Sequence, residues 1–226
     1  MPGTPPLGPA ALPHVFFQTL FARRFTLLFV LVAAIAAATA LGASPARAQA
    51  PAACASATDP LGSAPSATVE AAVVCLVNVA RSAARLGPVH TAAALELSAQ
   101  RHAADMIARG YFAHVSPSGG TVDKRARRAG YLTGPCWALG EDLGWAPSAV
   151  ASAQAVVAAW MESPRHRSVI LDPDFRDIGI GLLTKAPTAD GVGATFVLEL
   201  GAAGPCAAAG STGTVRATPR ARIRVS

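Results

Sequence analysis

Aromatic residues make up only 6% of the chain and charged residues only 14%. Lysine is almost missing, because Lys124 and Lys185 are the only two among 19 basic residues. The chain has no internal repeat and no run in which aromatic and basic residues alternate, so the usual basis for a nucleic-acid surface is missing. The formal charge of +6 does not restore it. Arg23, Arg24 and Arg47 lie in a segment expected to be removed, and Arg216, Arg220, Arg222 and Arg224 lie in the last eleven residues. Without those seven, 12 basic residues face 13 acidic ones, and the remaining domain is near neutral. Several catalytic signatures are missing as well. There is no G-x-S-x-G elbow, no H-E-x-x-H and no P-loop. No two cysteines stand at C-x-x-C spacing, which argues against a cysteine-ligated zinc.

What is present begins with an export signal. Arg23 and Arg24 precede an uncharged run over 25–41, and Ala46-Arg47-Ala48 stands before Gln49. A basic region, an apolar region and an A-x-A site describe a secretory signal peptide over 1–48. An uncleaved anchor is the alternative, since about 17 apolar residues reach the lower edge of a membrane span. Either way, the rest faces the outside, and membrane contact arises only if the segment is retained. Four cysteines then remain, Cys54, Cys75, Cys136 and Cys206, an even number in an exported domain. Three pairings are open. Cys54–Cys75 would staple an N-terminal arm to the first helix, and Cys136–Cys206 would tie a mid-chain loop to the last strand; these two are favoured.

Residues 49–66, rich in Ala, Ser and Pro, read as an extended arm. Val69, Val73, Leu76, Val77 and Ala80 then recur at helical spacing over 68–84, with Ser66 as a cap. A second helix spans 91–109, with Leu95, Ala99, His102 and Met106 on one face and Gly110 as its stop. Residues 111–120 form a loop, and Thr121 caps a short helix. A strand is expected over 139–145, and a helix capped by Ser148 follows, ending near Pro164. Strands over 177–184 and 194–200 close the domain, and 207–226 reads as a disordered basic tail. Helices first and strands late predict an α+β fold.

Several segments resemble the bacterial CAP superfamily (cysteine-rich secretory protein, antigen 5, pathogenesis-related 1; the SCP-like extracellular domain). They are Cys75-Leu-Val-Asn-Val-Ala-Arg81, His102-Ala-Ala-Asp-Met106, Tyr111-Phe-Ala-His114-Val-Ser-Pro117, Arg128-Ala-Gly-Tyr131, Gly140-Glu-Asp142, Trp160-Met-Glu-Ser-Pro-Arg-His166 and Ile178-Gly-Ile-Gly181. They occur in the family's order. The resemblance implies a domain over 67–206 folded as a three-layer α-β-α sandwich with a central antiparallel sheet. It also implies a cleft with two histidines and two glutamates. His114, Glu141 and His166 match three of these positions. The second glutamate of eukaryotic members would fall at Ser163, so Glu162 is one residue, about 100° of helix, out of phase. Asp142 replaces the family's asparagine and adds a negative charge beside Glu141.

Two imidazoles and a carboxylate are a ligand set for Zn²⁺ or a related divalent cation. A water on such a metal is a nucleophile, which would make His114, Glu141 and His166 catalytic. The alternative use of the same residues is a structural hydrogen-bond network. His90 and His102 match no site position, and His102 shares its face with Leu95 and Met106, which suggests a core role. Lys124, Arg125, Arg127 and Arg128 form a basic cluster, read as a solvated face or as a contact for an anionic wall polymer or lipid headgroup. The leading expectation is a secreted, monomeric binding or interaction domain that meets an extracellular or cell-envelope ligand, not a dedicated enzyme. A metal-dependent, peptidase-like hydrolase and a lipid- or sterol-binding domain are the alternatives.

Overall fold

The computed structural model describes residues 54–187, 191–205 and 222–225. All belong to the unit Ala48–Ser226. The leader and its cleavage site belong to the other unit, Met1–Arg47, and to the residue that follows it, outside the described residues. The elements, in chain order, are α1 Ser66–Ala83, β1 His90–Thr91, α2 Ala93–Arg109, α3 Val122–Arg128 and β2 Cys136–Ala146. Then come α4 Ala153–Glu162, α5 Pro164–Ile170, β3 Asp177–Leu183, β4 Ala194–Gly204 and β5 Arg222–Val225.

The fold is α+β. Strands run in the order β1-β3-β4-β2-β5. The inner pairs β3/β4 and β2/β4 are antiparallel, whereas the edge strands β1 and β5 pair in parallel. The sheet is therefore mixed rather than purely antiparallel. Period-2 alternation sorts its side chains into two cores. Phe196, Leu198 and Leu200 of β4 join Ile178 and Ile180 of β3 against α1, α4 and α5. Val197 of β4 and Leu143 of β2 face the other way, against Ala99, Ala103 and Met106 of α2. Both faces of β4 are covered, which explains why nine of its residues in a row are buried.

The approach of α2 to the sheet depends on two glycines. A Cβ at Gly179 would lie 2.3 Å from the backbone of Leu95 and Glu96, and one at Gly181 would lie 2.4 Å from that of Ala99. Those are backbone clashes that no rotamer relieves. The Ile-Gly-Ile-Gly pattern of β3 thus has apolar residues toward α1 and bare backbone toward α2.

Several boundaries differ from expectation. Ser66 lies inside α1, whose N-cap is Pro65. Ser152, not Ser148, caps α4 and accepts a hydrogen bond from the Ala155 amide at 3.1 Å. Pro164 does end α4, because it holds Ser163 extended, but it also starts α5 from the N1 position. Within the expected disordered tail, Arg222–Val225 form β5 along β2. Arg222 makes that possible. It bonds both oxygens of Asp172 at 2.7 Å each and Asp174 at 2.8 Å, and it stacks over Phe175. Cys54 and Cys75 form the expected disulfide. Cys136 is also disulfide-bonded, while Cys206 lies outside the described residues.

Candidate functional site

His114 and its partners gather around Glu141, midway along β2. Strand alternation turns Glu141 toward α2 and α3 and its neighbour Asp142 toward the opposite helical layer, so Asp142 does not add its charge beside Glu141. Glu141 is fully buried. His114, on the loop between α2 and α3, donates from Nδ1 to Glu141 Oε1 at 2.8 Å. Arg125 of α3 donates to Glu141 Oε2. Its other terminal nitrogen holds the carbonyls of Gly120 at 2.8 Å and His114 at 3.0 Å. One guanidinium therefore fixes both the carboxylate and the loop that carries the histidine.

A second carboxyl lies beside the first. Glu199 of β4 is the cross-strand partner of Glu141 and is also fully buried. Burial raises the Glu141 pKa, but the His114 hydrogen bond and the Arg125 charge more than reverse this and hold it below the ordinary value. Glu199 shifts the opposite way. Burial and the Glu141 charge raise it well above the usual range, only partly offset by Arg125 and the Ser98 hydroxyl. Ser98 donates to Glu199 Oε1 at 2.9 Å. Of the two carboxyls, Glu141 is thus the one held toward its charged form, between His114 and Arg125, and Glu199 the one biased toward keeping a proton.

The histidine loop has a further support. His102 of α2 is buried and donates from Nε2 to the Ala113 carbonyl at 3.1 Å. Burial lowers its pKa to about 4, so the imidazole is neutral at physiological pH. It serves in the core, behind His114. His90 lies exposed on β1.

Beside this network opens a cleft of about 680 Å³. Buried Leu143, Val156, Trp160 and Phe196 line it, as do the more exposed Phe112, Trp145 and Val150. Trp160 donates its indole N–H to the Leu143 carbonyl at 3.0 Å, so the ring adds apolar wall with its polar edge satisfied. His114 and His166 both line this cleft. His166 reaches it because the break at Ser163 starts a new helix, α5. Burial, and then the neighbouring His114 charge, lower the His166 pKa. Its Nδ1 is buried and has no hydrogen-bond partner among the described residues. Glu162, the last residue of α4, is exposed and does not line the cleft.

Of the four candidates, then, two histidines share the cleft, Glu141 sits behind His114, and Glu162 lies apart. Both Glu141 oxygens already hold donors. Among the described residues, no group of three or more His, Cys, Asp or Glu side chains is placed to hold a metal ion. The donors facing the cleft are two imidazoles, one short of the three protein ligands of a catalytic zinc.

Arg125 and Glu199 were not legible as site residues from the sequence. Arg125 sits among three other basic residues, but Val122, Arg125 and Ala126 form one buried helical stripe, and that spacing was the available signal. Glu199 occupies the phase of Val197 in a strand buried on both faces, where an acid needs a partner.

A model of the cysteine-rich secretory protein family, CAP, matches residues 74–198. The uncharacterized protein YkwD of Bacillus subtilis is 35% identical over 114 residues, which are 50% of this chain and 41% of that protein. The chain thus spans well under half the length of this curated relative. Among solved structures, an outer surface protein of Borrelia burgdorferi is 22% identical with a TM-score of 0.47, over 57% of this chain and 88% of that one. An extracellular protein containing a SCP domain from Bacillus anthracis is 21% identical, also with a TM-score of 0.47, over 62% of this chain and 44% of that one.

Proposed function

The chain belongs to the cysteine-rich secretory protein (CAP) family, and on that premise we propose that it is an exported binding domain whose cleft takes an apolar ligand. The observation that carries this reading is the cleft itself: about 680 Å³, walled by Leu143, Val156, Trp160, Phe196 and the exposed Trp145. That volume falls within the range of small-molecule sites. Exposed aromatics at a cleft are costly in water and gain when a ligand covers them. His114 and His166 supply the polar groups that would orient a ligand's polar end. Lipid or sterol capture is the form of binding that this lining favours. Export is supported by the signal-like leader and by the Cys54–Cys75 disulfide.

A divalent cation held between His114 and His166 is a second reading. It is supported by the shared cleft and by the His114–Glu141 bond, since a carboxylate behind a ligating imidazole fixes its tautomer. A hydrolase acting through His114, Glu141 and His166 has less support, because Glu141 is already bonded on both oxygens.

The test is native mass spectrometry and solvent extraction of the purified chain, followed by titration with a fluorescent fatty acid. Saturable binding that weakens about tenfold in Trp145→Ala is expected, which corresponds to about 1.4 kcal/mol. Binding that is absent, or unchanged by the substitution, would refute the reading. Zinc calorimetry on His114→Ala and His166→Ala tests the second reading separately, with loss of the heat signal as its expected outcome.

A further inference from the structure

We propose that a second, polar site on the opposite side of the histidine loop binds a phosphate-bearing ligand. The site is a cavity of about 220 Å³, lined by Ser98, Arg101, Ser116, Ser118, Arg125 and Arg128, along with His102 and Asp105. Three elements meet there: α2 supplies Arg101, α3 supplies Arg128, and the loop between them supplies Ser116 and Ser118.

Its charge is not balanced within the protein. Asp105, the acid in the lining, already holds the Tyr111 hydroxyl and pairs with Arg109 at 3.3 Å. Arg125 is bonded to Glu141. Among the described residues, Arg101 and Arg128 have no carboxylate partner, so two guanidinium charges face the cavity uncompensated. The basic cluster on α3 is therefore not one solvated face. Arg125 is buried, Arg127 stacks over Trp137, and Arg128 turns to this cavity.

The loop is built to leave the space open. Gly120 is buried, yet its φ is not left-handed, so its backbone does not require glycine. A Cβ there would lie 2.7 Å from the Ser116 hydroxyl and 3.5 Å from an Arg128 Nη. The Gly120 amide donates to Ser116 Oγ at 2.9 Å, and Ser118 Oγ lies 3.1 Å from that same oxygen. Hydroxyls and guanidinia thus approach one space from several directions. A tetrahedral dianion, with three or more free oxygens, matches both that geometry and the double charge, whereas a carboxylate brings one charge and two oxygens in one plane. The ligand class is a terminal phosphate, which keeps three free oxygens and close to two charges; a phosphodiester keeps two oxygens and one charge and is the poorer match.

The experiment is calorimetry on the purified chain at low ionic strength, where such contacts are least screened. The probes are inorganic phosphate, glycerol 3-phosphate, glycerophosphoglycerol and acetate, with amide chemical shifts recorded in parallel. Expected are saturable phosphate binding, shifts centred on 116–120, and at least about tenfold weaker binding in Arg101→Gln/Arg128→Gln. Each single variant should fall between, and Arg127→Gln should bind as the parent does. The monoester should bind more tightly than the diester, and equal or tighter binding of the diester would overturn the assignment of a dianion. Both side chains are exposed, so the fold should persist, and far-UV circular dichroism checks it. The proposal is overturned if phosphate binding does not saturate, if the double variant binds unchanged, or if acetate matches phosphate.

Discussion

His102 shows how a residue outside the cleft sets conditions for one inside it. Its imidazole is buried and bonds the backbone one residue before His114. Burial is the first cause of its lowered pKa, from 6.5 to about 4. In the unfolded chain the ring takes up a proton below about pH 6.5, whereas in the native protein it resists until about pH 4. Protonation therefore favours unfolding. The cost is absent above pH 6.5, grows as pH falls, and levels off near pH 4. The size of the shift corresponds to on the order of 3 kcal/mol. Glu199 acts with the opposite sign, because its raised pKa makes the native state the better proton binder as pH rises above the carboxylate range. Urea midpoints of the parent and His102→Gln from pH 7 to pH 4 separate the two. The parent should lose stability relative to the variant across that window. Parallel curves would show that the ring is not the titrating group.

At the scale of elements, the segments with long periodic patterns were legible and the short ones were not. α1, α2, β3 and β4 follow from their apolar spacing alone. β1 has two residues and β5 has four, too few for any pattern, and each exists only because a distant strand offers an edge. α5 was hidden because proline is read as a stop, although it is equally a start. The same division holds in the site. His114, Glu141 and His166 were legible through motifs, while their supports Arg125 and Glu199 depend on which face turns inward. β5 also yields a prediction. Asp172 is 2% exposed, and burial raises its pKa, but the Arg222 hydrogen bonds with the Arg222 and Arg224 charges reverse this and keep it low. Arg222→Ala would strip a buried carboxylate of its fork. The expected loss is about 2 kcal/mol, reduced from the value for a fully buried pair because Arg222 is partly exposed. Faster amide exchange in Ile223–Val225 should accompany it. Arg222→Lys should recover only part, since an ammonium cannot fork. Thermal melts and hydrogen exchange measure both effects.

For the molecule as a whole, the arm, the disulfide and the cleft form one mechanical path. Cys54 and Ala57 of the arm belong to the core between α1 and α4. The Ala57 carbonyl accepts from the Gln154 amide at 2.8 Å, and the Leu61 amide donates to the Ala151 carbonyl at 3.2 Å. These bonds place the arm against the start of α4, and Ala151 and Ser152 there line the apolar cleft. The Cys54–Cys75 bridge, with a sequence separation of 21, ties the arm back to α1. Closing a loop of this size stabilises a fold by about 3 kcal/mol in the chain-entropy account. A Cys54→Ser/Cys75→Ser variant should therefore melt at a lower temperature. It should also bind an apolar probe more weakly, because the start of α4 loses its brace. The polar cavity at Arg101 and Arg128 is braced by α2, α3 and the loop between them, and none of these touches the arm through the bonds above. Phosphate binding should accordingly survive in the same variant below its melting point. Parallel titrations with the fluorescent fatty acid and with phosphate make the comparison. Equal losses at both sites would show that the bridge supports the whole domain rather than the cleft alone.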